Sequence, residues 1–273
     1  MTAEYEVIDG FQCYAPKLAL AFDDYPSAGF DVTAEIEDRS FWCRTRNRVL
    51  RQVFARFIDS SRPIEMLEIG CGIGGVLKEL RTLPNLSLTG SEIYLKGLKY
   101  ARQRIPDVKF IQVDATTMPF KQAFDVIGAF DVLEHVVDDV AVIARVGEAL
   151  RPGGKFVITV PQYQWMWSRL DEVVEHKRRY SRADLAGKLR AAGFKVEYAT
   201  SFVTVLFPLM LAQRLATRRH ERADTRDDFT AEVVLPKGIN SLFDIMMRID
   251  ETVLRLGGTL PFGGSLLMVA SRP

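Results

Sequence analysis

The residues of this chain best suited to holding a charged ligand lie in "MLEIGCGIGGVLKEL", Met66–Leu80. The stretch reads as a buried strand that runs through a glycine turn into a helix. Gly70, Gly72 and Gly75 satisfy a G-x-G-x-x-G pattern, while Glu68, Gly70, Gly72 and Gly74 satisfy an acidic-x-G-x-G-x-G pattern. Both describe nucleotide sites, and the stretch alone does not separate them. In the first, the turn approaches a pyrophosphate at a helix N-terminus. In the second, an acid stands near a cationic group and the turn is tight enough to admit a short chain.

Further carboxylates follow at strand ends. Glu92 ends the second strand, 24 residues after Glu68, where an acid accepts hydrogen bonds from ribose hydroxyls. Asp114 and Ala115 end the third strand, where a carboxylate beside a backbone amide suits an adenine amino group, and Met118 can pack on the ring. The fourth strand runs into "DVLEHV", which holds Asp131, Glu134 and His135. There His135 is a general base or a residue that orients the loop, and both readings stay open. After the fifth strand, "PQYQWMWSRLDEVVEHKRRYSR" mixes aromatics with His176, Arg178, Arg179 and Tyr180. The segment suits an acceptor lid in which aromatics exclude water and a cation meets an acidic acceptor, or a hydrophobic cover with a solvated charge run. His135, His176 and Tyr180 are its catalytic candidates.

The elements that must position these groups alternate. From Ile64 onward the text reads strand, helix, strand through "IEMLEI", "LSLTGS", "VKFIQV", "FDVIGAF", "GKFVITV" and "FKVEYAT", with "SLLMVAS" as a last strand. Continuous apolar strands separated by helices imply a parallel sheet covered on both faces, with ligands at its carboxyl edge. Before it, Ser40 caps a helix that places Trp42, Val49, Val53, Phe54 and Phe57 near one face. Residues 1–40 read as irregular. Late in the chain, Leu242, Met246, Ile249, Val253 and Leu256 recur at helical spacing, which predicts a buried face.

Glu68, Glu92, Asp114, "FDVLEHV" and "LRPGGKFVITVP" in this order resemble the class I S-adenosylmethionine (SAM) dependent methyltransferases, over about Ser40–Thr200 and again at the final strand. The resemblance implies a Rossmann-like α/β fold: a seven-stranded, mostly parallel sheet with helices on both faces and an antiparallel last strand inserted beside the fifth. It also resembles bacterial type 11 and 12 members, with an insertion before the last strand. It implies SAM as cofactor, held by Glu68, Gly70, Cys71, Gly72, Gly74, Glu92, Ile93, Asp114, Ala115, Met118 and Asp131. "FWCRTRNRVL" is similar to the helix that precedes the first motif in bacterial relatives, so Trp42 and Arg46 are expected at the cofactor's methionine end. Asp131, Glu134 and His135 also resemble the metal triad of ubiquinone-pathway O-methyltransferases, but no metal ligand is assigned.

Bulk properties exclude other classes. Lys plus Arg number 36 against 35 Asp plus Glu, a net charge of +1, so no global field draws nucleic acid. Three scattered cysteines argue for a reducing compartment. The N-terminus lacks a signal-peptide pattern, and the most apolar stretch, Phe202–Ala216, is about 15 residues against the roughly 20 that cross a bilayer. A cytoplasmic protein is expected.

The domain expectation is an N-terminal cap and helix over 1–60, then a SAM-binding domain over 61–273 in which 201–264 is a mainly helical insertion. That insertion suits an acceptor cover, a homodimer face or a peripheral membrane contact, the last because "LFPLMLAQRLATRRHER" couples apolar bulk to a basic cluster. The expected reaction is methyl transfer to an oxygen or nitrogen of a small-molecule, lipid-linked or sugar-linked acceptor. C-methylation, an NAD-dependent oxidoreductase and a non-catalytic SAM-binding partner module are the alternatives.

Overall fold

Among the described residues nine strands form one sheet, in the order β1 (Glu6–Ile8), β2 (Phe11–Cys13), β5 (Lys109–Gln112), β4 (Leu86–Glu92), β3 (Ile64–Ile69), β6 (Phe124–Phe130), β7 (Leu150–Pro161), β9 (Ser265–Ser271) and β8 (Lys195–Phe202). They come from a computed structural model that describes residues 4–21, 27–217 and 235–273. The five central strands, β3 (Ile64–Ile69), β4 (Leu86–Glu92), β5 (Lys109–Gln112), β6 (Phe124–Phe130) and β7 (Leu150–Pro161), run parallel. β9 (Ser265–Ser271) lies antiparallel between β7 and β8 (Lys195–Phe202). The expected fold class and the inserted last strand are both present, but the strand count among the described residues is nine and not seven.

The two additional strands correct the reading of residues 1–40 as irregular. β1 (Glu6–Ile8) and β2 (Phe11–Cys13) form a hairpin, and β2 adds in parallel to β5 through Gln12 and Cys13. Phe11 and Cys13 enter the core there. Two short helices follow, α1 (Pro16–Ala21) and α2 (Ser27–Ile36). Runs of three residues carry too little alternation to stand out in sequence.

Helices cover both faces of the sheet because its strands are apolar on both sides; every residue of β6 and of β9 is buried. One core lies under α3 (Phe41–Phe57), α4 (Gly75–Leu80) and α5 (Leu95–Arg104), the other under α6 (Asp139–Ala149) and α8 (Arg182–Ala191). α8 starts where Ser181 accepts from Asp184 N, and the chain leaves it through Gly193 in the left-handed region.

A short α7 (Arg169–Val173) follows β7, and α9 (Phe207–Thr217) and α10 (Lys237–Arg255) separate β8 from β9. α10 packs along α3, with Asn240 Oδ1 accepting from Phe41 N and Phe243 meeting the Phe41 ring edge-on. Its burial reverses expectation. Met247, Asp250, Glu251 and Leu254 face inward, whereas Leu242, Ile249 and Leu256 are exposed and Met246 and Val253 are half-buried. The acids can be inside because each is satisfied there: Glu251 pairs with Arg48 at 2.6 Å, and Asp250 accepts from Thr204 N and Val205 N. The basic cluster that follows Thr217 lies outside the described residues.

Candidate active site

The carboxyl edge of β3 and β4 builds the first half of the site. Gly70, Gly72 and Gly74 all take positive φ, so the chain turns sharply between β3 and α4. At Gly72 (φ 51°) the position a Cβ would take is open space, and its N–H donates to Glu92 Oε2 at 3.0 Å. The other Glu92 oxygen accepts from Ile93 N at 2.7 Å and Tyr94 N at 3.3 Å. Burial pushes the Glu92 carboxyl up, while these three backbone N–H groups pull it down. With about four lone-pair directions, the carboxylate keeps room for another donor.

Glu68, on β3, is buried, and its Oε2 has no hydrogen-bond partner. Burial raises its pKa to about 8; the Arg46 charge opposes this, and the Glu37 and Glu92 charges add to it. A cation placed beside this oxygen would favour the ionised form.

α3 carries Trp42 and Arg46 into the same region. The Arg46 guanidinium lies 4.9 Å from the Trp42 ring centroid, and its Nη1 donates to Asp131 Oδ2 at 3.2 Å. Thr159 of β7 donates to that same oxygen at 3.1 Å. Asp131, just past β6, sits at φ 58°, a left-handed conformation that aims its carboxylate back at α3. Trp42, Arg46 and Asp131 are thus brought together.

The remaining cofactor candidates scatter along the edge. Asp114 Oδ1 accepts from Thr116 N and Oγ1, an Asx turn that fixes the carboxylate after β5, with Ala115 half-buried beside it. Met118 is packed in the core under α6, and Cys71 in the core under α3. Burial drives the Cys71 thiol well above its usual range, which leaves it an inert core residue.

Beyond β6 the His135 and His176 rings meet edge-on at 4.7 Å. Burial, helped by the His176 and Lys177 charges, lowers the His135 pKa to about 3, so its imidazole is neutral. His176 stands differently. Its Nδ1 is 2.8 Å from Asp171 Oδ1, and its Nε2 is 3.9 Å from Glu134 Oε1. Glu134 is fully buried with neither oxygen bonded, and burial together with the Asp131 charge raises it well above the carboxylate range. The donor atoms of Glu134, His135 and His176 lie within 4.8 Å of one another.

Tyr180 does not join this group. It is fully buried, with its hydroxyl 2.6 Å from Asp139 Oδ2 and 3.1 Å from the Leu133 carbonyl. Burial and Asp139 both push its pKa up, so the phenol gives up no proton. Arg178 and Arg179 are also engaged, with Asp139 at 2.8 Å and Asp171 at 2.7 Å, instead of awaiting an acidic acceptor.

The methyltransferase domain model matches residues 41–199, more than half of the chain and the whole span from Trp42 to β8. The chain belongs to the class I SAM-dependent methyltransferases. Among curated methyltransferases it is 31% identical over 163 residues to O-methyltransferase cnsE of Penicillium expansum, covering 55% of this chain and 58% of that one. It is 27% identical over 177 residues to sterol 24-C-methyltransferase ERG6B of Gibberella zeae, covering 62% of this chain and 43% of that one. The chain therefore spans about half the length of these curated relatives.

In fold it is similar to a chain from the complex of the Haloferax volcanii Trm112 methyltransferase activator with a methyltransferase (TM-score 0.62, 18% identity, covering 92% and 96% of the two chains). It is also similar to Haemonchus contortus phosphoethanolamine N-methyltransferase 2 in complex with SAM (TM-score 0.59, 16% identity, 92% and 58%). The literal G-x-G-x-x-G is accordingly the tight turn of a methyltransferase and not a dinucleotide signature.

Two residues of this candidate site hold contacts that sequence reasoning passed over. Asp171 holds both His176 and Arg179; its only trace is the spacing Ser168-x-x-Asp171, which forms a capping box at α7. Glu37 pairs with Arg46 and Arg104, and its carboxylate abuts the glycine turn at Gly75. No local pattern marks Glu37, because its partners come from α3 and α5.

Proposed function

We propose that this chain transfers a methyl group from SAM to an oxygen or nitrogen of a small-molecule, lipid-linked or sugar-linked acceptor. The cofactor fits the first half of the site on one observation: a buried, unpartnered carboxylate oxygen on Glu68, close to a glycine turn with open space at Gly72. In this reading Glu68 meets the cationic end of the ligand, Glu92 the ribose and Asp114 the adenine, with Trp42, Arg46 and Asp131 lining the methionine end. When bound, SAM supplies a methyl group already activated by its sulfonium. The residues of the chain have then to align the acceptor, exclude water and remove a proton.

The observation that carries the reaction class is the His176–Asp171 pair. Asp171 holds Nδ1, which leaves Nε2 as the basic nitrogen and fixes its direction. Such a base serves an acceptor that loses a proton, as alcohols, phenols and amines do. The test is titration calorimetry followed by turnover. S-adenosylhomocysteine is expected to bind and NAD not to bind, and release of S-adenosylhomocysteine is expected with hydroxyl or amine acceptors. Binding of NAD in place of S-adenosylhomocysteine would overturn the cofactor assignment.

A second reading rests on Glu134, His135 and His176. Two imidazoles and a carboxylate whose donor atoms lie within 4.8 Å form a set that zinc or manganese accepts. It competes with the first reading, because the metal would take the same Nε2 of His176. Elemental analysis of wild type and His176→Ala decides between them. Stoichiometric metal lost in the variant supports the metal, and none in either supports the base.

A further inference from the structure

α10 presents solvent with a surface of unusual composition. Ile239, Leu242, Ile245, Ile249 and Leu256 are exposed, Ile245 to 67% and Leu256 to 81%. At 100° per residue, Leu242, Ile245, Ile249 and Leu256 fall within an arc of about 60°. Lys237, Arg248 and Arg255 fall within about 20° of one another along one flank of that arc. These three are the exposed charged residues of the helix. All three of its acids turn inward: Asp244 and Glu251 pair with Arg48, Glu251 also reaches Arg248 at 3.3 Å, and Asp250 accepts from the turn before α9.

We propose that this face of α10 seats the protein on an anionic lipid surface. An apolar stripe with cations along its edge and no exposed acid is complementary to acyl chains beneath negative headgroups. A second copy of the chain is a poorer match, because pairing two such faces would gather Lys237 and Arg255 of both copies with no exposed acid from either helix. The helix is held firmly for this role. Its inward ion pairs with α3, the Asn240 bonds to Phe41 N and Arg39 O, and the packing of Met247 and Leu254 fix which side faces outward. No helix among the described residues is long and apolar enough to cross a membrane, so the contact is one of lying on the surface.

The test is flotation of the full chain with phosphatidylcholine vesicles, with and without phosphatidylglycerol. Co-flotation is expected with the anionic vesicles, and at least about tenfold less with phosphatidylcholine alone. Ile245→Glu combined with Ile249→Glu alters only exposed positions; with circular dichroism unchanged, it is expected to lower the bound fraction at least about tenfold. Lys237→Gln with Arg255→Gln should bring anionic binding toward the neutral-vesicle level. Absence of co-flotation, equal binding to neutral vesicles, or binding indifferent to the isoleucine pair would overturn the proposal. A sedimentation dimer dispersed by the isoleucine pair, without lipid binding, would assign the face to a second copy instead.

Discussion

Asp171 Oδ1 receives two cationic or polar donors at once, His176 Nδ1 at 2.8 Å and Arg179 Nε at 2.7 Å. Its hydrogen bonds and the Arg179 charge hold its carboxyl well below the usual range although it is buried, so it stays ionised and keeps the imidazole in one tautomer. His176→Ala is expected to lower kcat for a hydroxyl acceptor by about 10²- to 10⁴-fold. Asp171→Asn should lower kcat as well, and both variants should retain the wild-type Kd for S-adenosylhomocysteine. Steady-state kinetics beside calorimetry check the split.

Arg46 and Asp131 come from elements 85 residues apart and form a largely buried pair. Removing one partner strands the other charge inside. Arg46→Ala is therefore expected to cost about 3–5 kcal/mol of stability, read as a lowered urea midpoint, and to weaken cofactor binding. Arg46→Lys should recover only part, since an ammonium cannot both reach Asp131 and lie over Trp42 as a planar guanidinium does.

Glu68 gives the cofactor-free protein a slope in pH. Its folded pKa, near 8, exceeds the unfolded carboxylate value of about 4.3. Between those values the folded state holds more protons than the unfolded state, so unfolding free energy falls as pH rises through the window. Tm is expected to decline between about pH 6.5 and pH 8 in wild type, above the range in which His135 offsets the slope, and to be flatter there in Glu68→Gln. Binding of a cationic cofactor at pH 7 should release a proton, seen as a buffer-dependent binding enthalpy.

His135 acts in the opposite direction. With its folded pKa near 3 and an unfolded value of about 6.5, the unfolded state takes up the extra proton across that window. Its contribution is present above pH 6.5 and is lost as pH falls toward 3. His135→Gln is expected to remove this acid-side loss, which denaturant titrations at pH 4 and pH 7 would measure.

Tyr180→Phe separates support from chemistry. The phenol bonds Asp139 and the Leu133 carbonyl in full burial, so its loss should cost about 1–3 kcal/mol. kcat is expected to stay within about twofold of wild type, since no proton passes through it. A large fall in kcat at unchanged stability would return Tyr180 to the catalytic group.

The sheet was readable wherever burial on both faces leaves an uninterrupted apolar run. The bounds of β3, β6 and β9 coincide with "IEMLEI", "FDVIGAF" and "SLLMVAS" for that reason. The α10 stripe misled because apolar periodicity reports a preferred environment and not which one is provided. With Arg48 and the α9 turn satisfying its acids, the polar side is the one buried. The positions of Glu68, Glu92 and Asp114 at the carboxyl edge of the sheet were legible because strand ends fix where their backbone lies. The links from Arg46 to Asp131 and from Asp171 to His176 depend on tertiary approach and on loop geometry, which no single segment encodes.

β9 also has a bearing on how the protein is made. It is the last strand in chain order, yet it is hydrogen-bonded on both sides, to β7 and to β8. Until Ser265–Ser271 are in place, the facing edges of β7 and β8 lack their ladder partner. This half of the sheet can therefore close only once β9 has been added to the strands before it, and without that strand β8 would have no partner among the described residues.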